Sequence, residues 1–137
     1  MRMSTDEYYL EVAKAVSLRS TCLTRQYGAV IVKNSEIIAT GYNGSPRGEV
    51  NCCDKGFCQR YSDGSTSWHN DGNYNKCESV HAEMNAIISA SRNEMLGSTL
   101  YLYGSENGKS IICEPCPICS RLIKNAGIAN VVTCKEE

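Results

Sequence analysis

Thr99-Leu100-Tyr101-Leu102-Tyr103, Pro115-Cys116-Pro117-Ile118-Cys119 and Ile128-Ala129-Asn130-Val131-Val132-Thr133 follow one another in a chain of 137 residues. The first and last are compact apolar runs rich in aromatic and β-branched residues, and they read as buried strands. Between them Pro117 suits the first helical position. Ile118, Leu122 and Ile123 supply an apolar stripe, and Gly127 suits a C-terminal cap. Strand, helix, strand in that order implies a right-handed parallel crossover.

The rest of the chain builds outward from this unit. Gly104-Ser105-Glu106-Asn107-Gly108-Lys109 reads as a turn, with Ser110-Ile111-Ile112-Cys113 returning as a short strand. Upstream, alanines, Met84 and the Ile87-Ile88 pair make 81–92 a buried helix that ends near Leu96-Gly97. Tyr27-Gly28-Ala29-Val30-Ile31-Val32 and Glu36-Ile37-Ile38-Ala39-Thr40 flank an Asn34-Ser35 turn and form a β-hairpin. Ser4 and Glu7 have capping-box spacing and open a packing helix that runs to about Leu18. Residues 19–26 are polar and read as a loop. Residues 48–76 lack periodicity and carry cysteines, Trp68 and charges, so something other than an apolar core must order them. The order is helix, hairpin, long loop, helix, strand, helix, strand. It predicts one α/β domain over 1–137, a three-layer α/β/α arrangement on a central mixed sheet, with ligands at strand ends where helices begin.

Composition bounds the partners. A formal charge of −1 argues against a nucleic-acid carrier. No apolar run is long enough to span a membrane, and Met1-Arg2-Met3-Ser4-Thr5-Asp6-Glu7 leads into polar residues and not a signal peptide. A cytoplasmic protein is expected. Nine cysteines, odd in number and unevenly spaced, do not read as a secreted disulfide framework. Metal binding and plain burial remain.

Two short motifs carry the chemistry. His81-Ala82-Glu83 and Pro115-Cys116-Pro117-Ile118-Cys119 place one imidazole, two thiols and one carboxylate at the starts of two helices, with His81 and Cys116 35 positions apart. Three soft ligands suit Zn²⁺ and leave a coordination position open for water, as in catalytic sites. Helix N-termini carry partial positive charge, which favours thiolates. Glu83, two residues from His81, should lie beside the metal without binding it. There it can take a proton from the attacking water, pass it to a ring nitrogen and then deliver one to departing ammonia. Burial would raise its pKa into the range this shuttling needs. Two other readings stay open here. Cys116 and Cys119 alone resemble a thioredoxin-type redox pair, and Cys113 could complete a structural zinc site.

The H-x-E…P-C-x-x-C pattern is that of the zinc deaminases. With Tyr27–Val32, Gly41-Tyr42-Asn43-Gly44-Ser45-Pro46-Arg47-Gly48, His81–Ile87 and Glu114–Cys119, the chain resembles the cytidine/deoxycytidylate deaminase superfamily. The Gly-Tyr-Asn-Gly-Ser-Pro run followed by a long cysteine-bearing loop is similar to the dCMP deaminases within it. That resemblance implies a cytidine-deaminase-like fold and catalytic zinc on His81, Cys116 and Cys119, with Glu83 as proton shuttle. The reaction would be hydrolysis of dCMP to dUMP and ammonia, feeding dTMP synthesis. It implies Asn43 at the sugar; charge and position suggest Arg25 and Ser45 at the 5′-phosphate. It also implies a hexameric homo-oligomer, activated by dCTP and inhibited by dTTP at a separate nucleotide site near the Gly-Tyr-Asn-Gly-Ser-Pro loop. The rivals are a deaminase of another base (cytidine, or adenosine in tRNA) and a zinc or redox module without hydrolytic activity.

Some phage relatives carry a second, structural zinc. Cys22 and Cys52 match two of its ligand positions, with Cys77, Cys58, Cys53 or His69 available to complete it; the alternative is buried free thiols. Metal analysis separates these. A second site predicts two zinc ions per chain, falling to one in Cys22→Ser or Cys52→Ser, whereas buried thiols predict one zinc that neither substitution disturbs.

Overall fold

Strand β1 (Gln26–Lys33) runs through the middle of the molecule, antiparallel to β2 (Glu36–Tyr42) on one side and to β3 (Thr99–Glu106) on the other. Its side chains alternate between two apolar layers. Ala29 and Ile31 face one layer with Leu100 and Leu102 of β3, while Val30 and Val32 face the other with Tyr101 and Tyr103. A strand buried on both faces must be apolar at successive positions, which is why Ala29-Val30-Ile31-Val32 is an unbroken run.

This computed structural model describes residues 1–58 and 77–135. The suggested ligand role of His69 and most of the long loop lie outside those residues. Helix α1 (Thr5–Ser17) starts as its capping box requires: Ser4 Oγ accepts from the Glu7 amide at 3.2 Å and donates to Glu7 Oε1 at 2.9 Å. It covers the Val30/Tyr101 face through Tyr9 and Ala13. On the opposite face lie α3 (Ala82–Ile88) and α5 (Pro117–Ala126). Strand β5 (Asn130–Thr133) pairs with β3 in parallel, so α5 is the parallel crossover that residues 99–133 predict. The result is a mixed five-stranded sheet between helical layers.

Several boundaries differ from the sequence expectation. The helix predicted over 81–92 ends at Ile88, and a separate turn α4 (Arg92–Met95) follows; Ser91 Oγ accepts from the Glu94 amide at 3.2 Å, a fresh N-cap that competes with continuation. Strand β3 extends to Glu106, through residues predicted as turn. Only Asn107 and Gly108 turn, both with positive φ (53° and 79°), and β4 (Lys109–Ser110) is correspondingly short. Asn34 and Ser35, also at positive φ, make the other hairpin as expected. A short helix α2 (Cys52–Lys55) lies in the segment read as unstructured. No helix among the described residues is long and apolar enough to cross a membrane.

Two glycines let helices touch the sheet. A Cβ on Gly28 would strike the backbone of α1 at Ala13 and Ser17, and one on Gly41 would strike the backbone of α3 at Ala82 and Ala86. Gly28→Ala and Gly41→Ala should each destabilise the fold by about 1–3 kcal/mol through overpacking. A urea titration reads this as a lowered midpoint. Gly41→Ala should also lower the metal content of the purified protein, because the helix it displaces carries His81. Gly28→Ala should leave metal content unchanged.

Candidate functional site

His81 is the N-cap of α3 and Cys116 the N-cap of α5, both in extended backbone. Cys116 Sγ accepts from the Cys119 amide at 3.4 Å, so the thiol itself caps the helix and Cys119 follows one turn in. Because α3 and α5 lie side by side on one face of the sheet, their N-termini meet. His81 Nδ1 stands 3.5 Å from Cys116 Sγ and 3.4 Å from Cys119 Sγ. All three donor atoms lie within 4.8 Å of one another.

These distances can be tested against a metal. A tetrahedral zinc with nitrogen at about 2.0–2.1 Å and sulfur at about 2.3 Å sets N and S about 3.5–3.6 Å apart. The observed separations match, so the residues fit zinc without rearrangement. Cys113 does not join the group: its Sγ faces Leu102 O at 3.9 Å and Cys134 Sγ at 4.0 Å. A structural site closed by Cys113 therefore loses its fourth ligand. A simple redox pair leaves unexplained why an imidazole nitrogen is aimed at both thiols.

Glu83, in the first turn of α3, is 5% exposed. Burial raises its carboxyl above the usual range, and its side chain reaches the Cys119 thiol. Hydrogen bonding from Cys119, and then His81, holds the Cys116 thiol down at about 3, whereas its bond to Cys116 and burial push Cys119 up. One thiolate is thus favoured even without a cation. A divalent ion would favour the second.

The predicted substrate residues divide between two places. Asn43 is buried beside the site, and its side chain is engaged within the protein. Its Oδ1 accepts from Ser20 Oγ at 2.6 Å and from the Tyr27 amide at 2.8 Å, and its Nδ2 donates to Arg25 O at 3.0 Å. A second N–H on Nδ2 completes its donor capacity. Arg25 is held by these contacts next to Asn43, with its Nε 3.2 Å from Glu106 Oε1. Ser45 instead lines a cleft of about 550 Å³ along β2, together with Arg19, Arg47 and Asn85. The two regions share a wall: Gly44 and Val80 exchange backbone hydrogen bonds at 3.1 and 2.7 Å, fastening the glycine-rich loop to the residue before His81.

Cys22 sits against Ser79 Oγ at 3.2 Å, and burial pushes its thiol up to about 11, with Cys52 and Cys77 close enough to add to the shift. Cys58 is half-buried. Among the described residues these four are not drawn into a compact donor set like that of His81. The sequence reading missed Ser20 and Glu106, which hold Asn43 and Arg25. Neither has a local signal, since Glu106 lies 81 residues from its partner.

Asn43→Ala removes the acceptor shared by Ser20 and Tyr27 and strands a buried amide. It should cost about 1–3 kcal/mol in thermal or urea unfolding while leaving zinc content intact.

Comparison with known proteins agrees with this geometry. A deoxycytidylate deaminase of Mycobacterium phage D29 is 38% identical over 98% of this chain and 98% of its own length. A deoxycytidylate deaminase of Saccharomyces cerevisiae is 39% identical over 96% of this chain, which spans only 38% of that protein. The crystal structure of dCMP deaminase from cyanophage S-TIM5 in complex with dCMP and dUMP matches with a TM-score of 0.64 at 30% identity, covering 96% of this chain and 83% of that one. The family model for the cytidine and deoxycytidylate deaminase zinc-binding region matches residues 3–135, and the chain belongs to that family.

Proposed function

We propose that this chain hydrolyses dCMP to dUMP and ammonia. The observation that carries the reading is one imidazole nitrogen facing two thiols at zinc-compatible distances, with a buried carboxyl beside them. His81, Cys116 and Cys119 hold the metal. Zinc held there supplies a Lewis acid that brings water towards its conjugate base near neutral pH.

The remaining work falls to the protein. Glu83 accepts the proton of the attacking water. It returns that proton to the ring nitrogen beside the reacting carbon, which makes the carbon a better electrophile. It then moves the proton of the newly added hydroxyl to the amino group, so that the C–N bond breaks, ammonia leaves and the carbon becomes a carbonyl. A carboxyl with raised pKa suits both directions of transfer. Asn43 offers its second amide N–H to the sugar, and Arg25 meets the 5′-phosphate. Ser45, with Arg19 and Arg47, lines the separate cleft, where two cations suit an effector nucleotide. The regulatory reading is dCTP as activator and dTTP as inhibitor at that cleft, in a homo-hexamer. A second zinc on Cys22, Cys52, Cys77 and Cys58, a single domain over 1–137 and a cytoplasmic location belong to the same reading.

Purified protein with zinc should convert dCMP, with loss of cytosine absorbance and equimolar ammonia, with or without dCTP. Glu83→Gln should lower kcat by at least about 10²–10⁴-fold while retaining one catalytic zinc. His81→Ala, Cys116→Ser or Cys119→Ser should each lose that zinc. Turnover of cytidine or of tRNA adenosine in place of dCMP would overturn the substrate assignment, and zinc content without any turnover would favour a binding module.

A further inference from the structure

Glu106 is the one acidic side chain seen in an ion pair with Arg25 among the described residues, and nothing in the proposed chemistry uses it. Its backbone is anchored while its side chain is 40% exposed. Its position is fixed at the end of β3, where Ser105 pairs with Gln26 and the Asn107-Gly108 turn sets Glu106 opposite Lys109. Arg25 is fixed too, because its carbonyl takes the Asn43 amide. Two anchored backbones therefore hold guanidinium and carboxylate 3.2 Å apart, with Arg25 only 22% exposed and Glu106 40% exposed.

We infer that Glu106 sets the affinity for a phosphorylated substrate, holding it down by competing for Arg25. This rests on Arg25 meeting the 5′-phosphate. Without a nucleotide the carboxylate neutralises the guanidinium. A phosphate dianion binds guanidinium more strongly than one carboxylate does and displaces it. Glu106 then turns to its cross-strand neighbour Lys109. Ligands without a phosphate cannot make this exchange.

The test compares wild type with Glu106→Gln, which keeps the shape and removes the charge, alone and in an Arg25→Gln background. Measured quantities are KM for dCMP and competitive inhibition by dUMP and by deoxyuridine, which lacks the phosphate. Glu106→Gln should lower KM for dCMP and the inhibition constant of dUMP by roughly threefold to tenfold, with kcat and any inhibition by deoxyuridine unchanged. In the Arg25→Gln background the gain should vanish. An unchanged or raised KM in Glu106→Gln, an equal gain for deoxyuridine, or a gain that survives loss of Arg25 would each overturn the inference. Those results leave the functional reading standing, whereas a wild type that does not turn over dCMP removes both.

Discussion

Helix α3 comes closest to β2 at Gly41, where no side chain separates the two backbones. Gly41 lies directly under the backbone of Ala82 and Ala86, and any Cβ there would push the helix outward. Ala82 and Ala86 are fully buried at the contact, so the approach is as close as small residues permit. Asn85 Nδ2 reinforces it from the side by donating to Tyr42 O at 2.8 Å. The depth of α3 sets the position of its first turn, which holds His81 and Glu83. A helix riding higher would carry the imidazole away from Cys116 and Cys119, because α5 is placed independently by its packing through Ile123 and Ala126.

The site is therefore a meeting of two helix ends, and both ends contribute more than side chains. The N-terminal dipole of α5, with the Cys119 amide bonded to Cys116 Sγ, favours negative charge on that sulfur. The same packing that aligns the ends excludes water from Glu83 and raises its pKa. The Cys116 thiol is held low and the Glu83 carboxyl high at the starts of two adjacent helices, and hydrolytic deamination uses both. Asn43 joins this centre to the polar wall: it ties Ser20, Arg25 and Tyr27 together, so the loop before β1 is fastened to the end of β2.

Much of this was legible beforehand. The apolar runs at 27–32 and 99–103 read as strands because strands buried on both faces must be continuously apolar. Ser4, Pro117 and Gly127 marked helix ends correctly, since capping depends on a few local atoms. The break at Ser89–Ser91 and the extension of β3 to Glu106 were not legible. A serine inside an apolar helix is tolerated or caps a new turn according to its surroundings, and Glu106 continues a strand only because Gln26 and Lys109 are beside it. Ser45 reads as part of the substrate loop, yet it lines the cleft along β2. The direction in which a loop presents its side chains follows from how its ends are fastened, here by the Gly44–Val80 bridge.

Sequence alone determined the donors, their order and the helical positions they occupy, because ligand type and capping are properties of a few adjacent residues. It therefore determined the class of chemistry. Tertiary structure decided that His81 Nδ1 meets both thiols, that Cys113 turns to Cys134 instead, that Asn43 spends most of its hydrogen-bonding capacity inside the protein and that Arg25 is paired with Glu106. Each of these joins residues far apart in the chain. Such contacts exist only once the sheet brings separate elements within a few ångströms, and no local pattern encodes them.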